Sequence, residues 1–303
     1  MDKILLIIGL IIAVAIVITG GFGTWSQSGL GVFNFLGNGG GPRASGPGAS
    51  FIQAPEGTSQ INSSGSLNAN NPPASPAPPP GYSIYQTKVR ISTVSRPSAE
   101  TQNSESEYIL LYYADYQSKN PIVVSGWSLE NTQGKRYMIG NAARIPLVDA
   151  SETTAALLPS TQAYIHTGAS PLGIGFRENA CTGYLNENNR FIPSLSGGCP
   201  SIDVSKLVQY NDRCLSFLQQ NAGSCRMPVI AGNATVGIGD DCSDFIAKNL
   251  NYRGCVDNFR SATDFYRNTW HFYFNRPEKL WRSLHDVIIL RDSQGLIVDT
   301  YQY

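Results

Sequence analysis

The stretch from Ser125 to Gly140, SGWSLENTQGKRYMIG, decides the fold. Trp127 and Leu129 alternate with Ser128 and Glu130, and Tyr137 and Ile139 alternate with Arg136 and Met138. A polar, glycine-containing break, Asn131 to Gly134, separates the two runs. Successive side chains of a strand point to opposite faces, so this pattern predicts a β-hairpin with one buried face. A second hairpin is predicted near the C-terminus: Val287 to Leu290, a turn at Asp292 to Gly295, then Leu296 to Val298. TKVRISTVS, EYILLYYADY, QAYIHTG and TWHFYFN also read as strands. Short strands punctuated by Gly, Asn and Ser predict a mainly β fold, an antiparallel sandwich or barrel.

Between Gly168 and Thr269 the pattern changes. VSKLVQYNDRCLSFLQQNAG places Val204, Leu207, Val208, Cys214, Leu215 and Leu218 at helical spacing, and DCSDFIAKNL repeats this with Cys242, Phe245, Ile246 and Leu250. All six cysteines, Cys181, Cys199, Cys214, Cys225, Cys242 and Cys255, fall here. Residues 169–268 therefore read as an insertion of short helices and loops in the β domain.

At the other end, nearly every residue from Ile4 to Ile18 is apolar, and no charge occurs from Ile4 to Phe22. Nineteen residues at a helical rise of 1.5 Å cover about 28 Å, close to the thickness of a bilayer core. Residues 1–23 are expected to be an uncleaved single-pass membrane anchor, with a cleaved signal segment as the alternative. Residues 24–82, with GNGGGPRASGPGAS and NANNPPASPAPPPG, form a Gly-, Pro-, Ser- and Asn-rich linker too poor in apolar residues to build a core. The folded domain is then 83–303. Lys3 weakly favours a cytoplasmic N-terminus, which leaves that domain extracytoplasmic on either reading. Formal net charge is zero, so nothing in the composition points to nucleic acid.

EYILLYY followed by VSGWSLENTQGKRYMI resembles the opening of a lamin tail domain, in which a Glu-Tyr strand precedes a Gly-Trp-x-Leu strand and a turn. LWRSLHDVIILRDSQGLIVDTYQY resembles the closing element of that family. The residues that carry the match are Gly126, Trp127, Leu129, Trp281, Asp286, Leu290, Asp292, Gly295 and Asp299, in two blocks, residues 86–168 and 268–303. Bacterial members are often exported. The resemblance implies an immunoglobulin-like β-sandwich with Trp127 in its core. It also implies an interaction module, since the family shares no catalytic residues. The cysteine-bearing middle departs from the family's short connection.

No C-x-x-C occurs, which argues against a zinc knuckle or a thioredoxin-like motif. An even, clustered set of cysteines in an exported domain predicts disulfides. Neighbour pairing is the expectation: Cys181–Cys199, Cys214–Cys225 and Cys242–Cys255. His166, His271 and His285 are dispersed, without a metal-binding spacing, and no cofactor is expected. GIGDDCSD does not fit a calcium loop, and helix capping by Asp241 or Ser243 explains it more simply. GASPLGIGF lacks the Gly-Lys ending of a phosphate loop. Tyr108, Tyr112, Trp127, Tyr137, Trp270, Phe272 and Phe274 are assigned to the core, with an exposed carbohydrate platform as the rival.

The sequence thus predicts a membrane-anchored extracytoplasmic binding or scaffolding module, not an enzyme, whose partner is an envelope protein or a glycan. An exported hydrolase using a site in the insertion, and a structural envelope spacer, are the alternatives. A pocket on which His166 and His271 converge would favour the enzyme; an aromatic-rimmed surface would favour binding.

Overall fold

The computed structural model describes residues 77–100, 103–147, 150–229 and 237–303. The Ile4–Phe22 segment and the linker as far as residue 76 lie outside the described residues. Among the described residues, no helix is long and apolar enough to cross a membrane.

The strands, in chain order, are β1 (Val89–Ser95), β2 (Tyr108–Tyr113), β3 (Ile122–Val123), β4 (Ser128–Glu130), β5 (Arg136–Met138), β6 (Ala156–Leu157), β7 (Gln162–His166) and β8 (Phe176–Asn179), followed by β9 (Tyr266–Tyr273), β10 (Val287–Arg291) and β11 (Ile297–Gln302). Between β8 and β9 lie 3-10 turns at Thr182–Glu187 and Val204–Lys206, then α1 (Asp212–Asn221), α2 (Asp240–Asn249) and α3 (Tyr252–Phe259). One sheet has the order β1-β2-β7-β9-β8, a second β11-β10-β4-β5, and β3 pairs with β6. The protein is mainly β with mixed sheets and few helices.

Both expected hairpins form. In β4–β5, Leu129 pairs with Tyr137, and both are buried, as are Trp127 and Ile139. The turn is built by Asn131, whose Oδ1 accepts from the backbone N–H of Gln133 and Lys135, both at 3.1 Å, while Gly134 takes φ +74°. In β10–β11, Asp292 Oδ1 accepts from Gln294 N and Leu296 N, both at 2.9 Å, and Gly295 takes φ +82°. A positive φ is cheap only for glycine, so both turns need it. Inward residues of both sheets, among them Ile109, Leu111, Leu129, Ile165, Phe272, Ile288 and Leu290, join one buried cluster. Ser83 N donates to Ile297 O (2.8 Å) and Ile297 N to Gly81 O (2.9 Å), so the chain enters the fold along β11.

Expectations on three points are corrected: the sheet and the 169–268 segment, the helices, and the cysteines. First, the sheet is not wholly antiparallel: β7 and β9 are parallel, from Gln162↔Thr269 to His166↔Tyr273. Nor is the 169–268 segment only helices and loops, because β8 pairs antiparallel with β9 and forms the sheet's last strand.

Second, the helical run from Val204 is broken. Val204–Lys206 forms one short 3-10 turn, and α1 starts afresh after Asn211, whose side chain accepts from Cys214 N. Nor does Asp241 or Ser243 cap α2: Gly239 occupies that position without a side-chain cap, and Asp240 and Asp241 lie in the first turn, where the helix dipole favours negative charge.

Third, the cysteines pair as Cys181–Cys255, Cys199–Cys225 and Cys214–Cys242, not with their neighbours. The helices explain this. Cys214 lies in the first turn of α1 and Cys225 beyond its end, so about 10 Å of helix stands between Cys214 and the end nearest Cys225. A disulfide tolerates Cα separations of only about 7 Å. The length of α2 likewise stands between Cys242 and Cys255. Cys214 and Cys242 instead lie on the buried faces of α1 and α2, among Leu218 and Ile246, and link the two helices. Three disulfides mark an oxidising, extracytoplasmic environment.

Two measurements check this account. Peptide mapping without reduction is expected to recover the 181–255, 199–225 and 214–242 links; a recovered 181–199 or 214–225 link would contradict the fold of this segment. Trp127, packed 5.4 Å from the ring of Tyr85, is 1% exposed. Its replacement by alanine is expected to cost about 3–5 kcal/mol in urea unfolding. An unchanged unfolding midpoint would remove Trp127 from the core.

Candidate functional site

The residues that carry the family resemblance hold the sheets together. Asp286 Oδ1 accepts from Thr132 Oγ1 (2.7 Å) and Val287 N (2.9 Å), and its Oδ2 from Arg282 N (2.9 Å), so one carboxylate ties the first turn to the entry of β10. Asp299 Oδ2 accepts from Ile91 N (2.8 Å) where β1 loses register. Trp281 packs edge-on against Tyr137, and Gly126 takes φ +85° between Val124 and the first hairpin. Leu290 is fully buried.

Chemistry lies instead on the opposite face of the five-stranded sheet. In β7, Ala163 and Ile165 face the core, so Tyr164 and His166 face outward. In β9, Trp270 and Phe272 face the core, so His271 and Tyr273 face outward. The parallel register sets Tyr164 beside His271 and His166 beside Tyr273. His166 Nε2 lies 3.0 Å from His271 Nδ1, and His271 Nε2 lies 2.8 Å from Glu178 Oε1 on β8. The other oxygen of Glu178 accepts from Ser196 Oγ at 2.9 Å. Tyr164 and Phe176 stack on the His271 ring, and Tyr273 stacks on His166 with centroids 4.5 Å apart. His166, His271 and Glu178 are all buried.

Burial, reinforced by the neighbouring His271, holds His166 well below the ordinary histidine value. Burial pushes the Glu178 carboxyl up, but hydrogen bonds from His271 and Ser196 and the charge of His271 outweigh it, so Glu178 titrates below the ordinary carboxylate value. An ionised carboxylate only accepts hydrogen bonds, so His271 Nε2 carries a proton toward it. When His271 is neutral, its Nδ1 accepts from His166 Nε2–H, and His166 Nδ1 is left as an acceptor. One added proton reverses the second link: His271 becomes charged beside Glu178, and His166 Nδ1 becomes a donor. His166 Nδ1 has no hydrogen-bond partner among the described residues.

His166 lines a cavity of about 250 Å³ together with Gly168, Ala169, Pro171, Phe191, Ile192 and Tyr273. Glu105 and Arg190 also line it and pair at 3.8 Å with both side chains exposed. A second, larger cavity of about 430 Å³ lies where the crossover between β8 and β9 meets the loops before β6 and β8. Pro146, Leu172, Ile174, Tyr184, Leu185 and Tyr252 give it apolar walls, and Asn188, Asn251 and Arg253 supply polar groups. Glu187, also on this wall, is held by Met227 N at 3.1 Å. Burial raises the Tyr252 phenol, which accepts from Asn179 Nδ2 at 3.0 Å and stays neutral.

Of the three histidines, two converge, while His285 lies apart and exposed. Among the described residues, no group of three or more His, Cys, Asp or Glu is arranged to hold a metal. Tyr108 and Tyr112, assigned to the core from sequence, lie half-buried on the outer face of β2. Glu178 was not singled out by sequence. It sits in FREN, a four-residue strand without alternation of burial, and only its pairing with β9 brings it to His271. No known family's sequence profile matches the chain, and no curated protein or solved structure is detectably similar to it.

The buried histidine gives a pH signature. Unfolded, His166 titrates near the ordinary value of about 6.5; folded, it does so well below. Between the two values the unfolded chain binds the extra proton. The stability contribution is therefore complete above about pH 6.5 and is lost as pH falls toward the folded value, by at most about 1.4 kcal/mol per unit. Urea unfolding of wild type and His166→Gln is expected to show a steeper loss in wild type below that pH. Parallel losses in the two proteins would contradict it.

Proposed function

We propose that the protein is an extracytoplasmic binding module, anchored in the membrane through Ile4–Phe22, with a lamin-tail-like, immunoglobulin-like sandwich as its scaffold. In this reading the two sheets are the scaffold and the crossover between β8 and β9 is the binding element. The observation that carries it is the cavity of about 430 Å³ that this crossover lines together with Pro146, Leu172 and Ile174. It combines apolar walls with a few polar groups, the usual composition of a small-molecule site. Disulfides on α1, α2 and α3 hold the segment before any ligand arrives, which lowers the ordering cost of binding. Envelope components with an apolar moiety are the ligand class this lining suits.

An exported hydrolase is the second reading, and the convergence of His166, His271 and Glu178 on a cavity is the observation in its favour. Binding is preferred on two grounds. All six cysteines are closed in disulfides, so no thiol nucleophile is available. Among the described residues no hydroxyl side chain is hydrogen-bonded to His166.

Leu185 is half-buried on the cavity wall, so Leu185→Arg fills the space with limited effect on folding. Detergent-solubilised wild type exposed to envelope extract is expected to retain a species, seen by native mass spectrometry, that Leu185→Arg releases. Retention unchanged by the substitution would overturn the assignment.

A further inference from the structure

We infer that the His166 cavity is a second binding site, one that takes a neutral polyhydroxyl ring such as a single sugar unit. The inference does not depend on the larger cavity. His166 is almost wholly buried, yet one ring nitrogen has no partner among the described residues, and the ring lines the cavity. That nitrogen is the open end of a chain anchored on Glu178, so its role is set by protons held farther back. It accepts in one protonation state and donates in the other. A hydroxyl can donate or accept and so satisfies both states. A carboxylate or an ammonium satisfies only one.

The rest of the lining agrees with a neutral ligand. Glu105 and Arg190 pair with each other at the wall, which offers an acceptor and a donor without net charge. Phe191, Ile192, Pro171 and Ala169 give apolar surface for ring C–H groups. A volume of about 250 Å³ fits one ring rather than a chain. The groups facing His166 from neighbouring elements are His271 and Tyr273 of β9 and Tyr108 of β2, with Tyr164 on its own strand. Burial pushes the phenols of Tyr164 and Tyr273 up, so both stay neutral.

The same chemistry is offered by a free monosaccharide and by a unit of a glycan, and the test separates them. Full chain labelled with nitrogen-15 histidine, in a sugar-free zwitterionic detergent, is titrated with glucose, N-acetylglucosamine and their soluble oligomers. Saturable movement of the His166 ring signals is expected with at least one sugar. Arg190→Ala, at an exposed side chain where folding is not at stake, should weaken that binding several-fold. His166→Phe should weaken it by roughly tenfold or more, through loss of a hydrogen bond. Tighter binding of oligomers than of monomers identifies a glycan unit, and equal binding a free sugar; both uphold the site. Unmoved His166 signals with every sugar, or binding indifferent to Arg190→Ala, would overturn it.

Discussion

The parallel pairing of β7 with β9 is the constraint on which the rest of the structure depends. Parallel neighbours cannot be joined by a tight turn, because the chain must return to the end from which it started. Here the return runs from His166 to Tyr266 and contains β8, the helices α1, α2 and α3, and all six cysteines. The pairing sends Ala163, Ile165, Trp270 and Phe272 into the core and leaves Tyr164, His166, His271 and Tyr273 on the other face. A slip of one residue in β9 would turn His271 toward the core and Trp270 away from it. Burial of Trp270 and Phe272 therefore fixes the position of the histidine pair.

The parts of this arrangement legible in the sequence are those set by short-range rules. Trp127, Leu129, Tyr137 and Ile139 announce a hairpin because the period of two and the Asn131–Gly134 turn lie within one short window. Asp292 and Gly295 do the same for the second. Cys242, Ile246 and Leu250 announce the buried face of α2. What was not legible depends on distant segments. The Cys181–Cys255 link spans 74 residues, and its partners meet only when α3 packs near the turn after β8. Glu178 and His271 are 93 residues apart, and neither carries a local signal. Tyr108 and Tyr112 were misplaced because alternation shows that a strand has two faces but not which one is covered; in β2 the core takes Ile109, Leu111 and Tyr113.

The buried Glu178–His271–His166 chain also shows what the crossover contributes beyond topology. A carboxylate on an uncovered sheet face would be screened by water, and its effect on a histidine two links away would be small. Here Phe191 stands against Phe176, Phe176 covers His271, and Ser196 takes the free oxygen of Glu178. These cover residues come from the crossover. They remove solvent from the chain and satisfy its far end, so the protonation state of one imidazole bears on the hydrogen-bonding sense of the next.

The sheets and the crossover are held by different means, and both cavities lie where the two meet. The sheets share one large apolar cluster. The crossover has only small clusters: one about Cys181, Tyr184 and Phe265, one about Cys214 and Ile246, and one about Phe176 and Phe191. Clusters of that size bury too little apolar surface to offset the entropy of ordering the segment, and the cross-links reduce what has to be offset by restricting the unfolded chain. Two of these small clusters are built around a disulfide, and the third is built on Phe176 of β8, which the sheet already holds. A segment fixed by covalent links and one strand need not be closely packed throughout its interior. That is the physical reason both cavities lie along the seam between the crossover and the β domain.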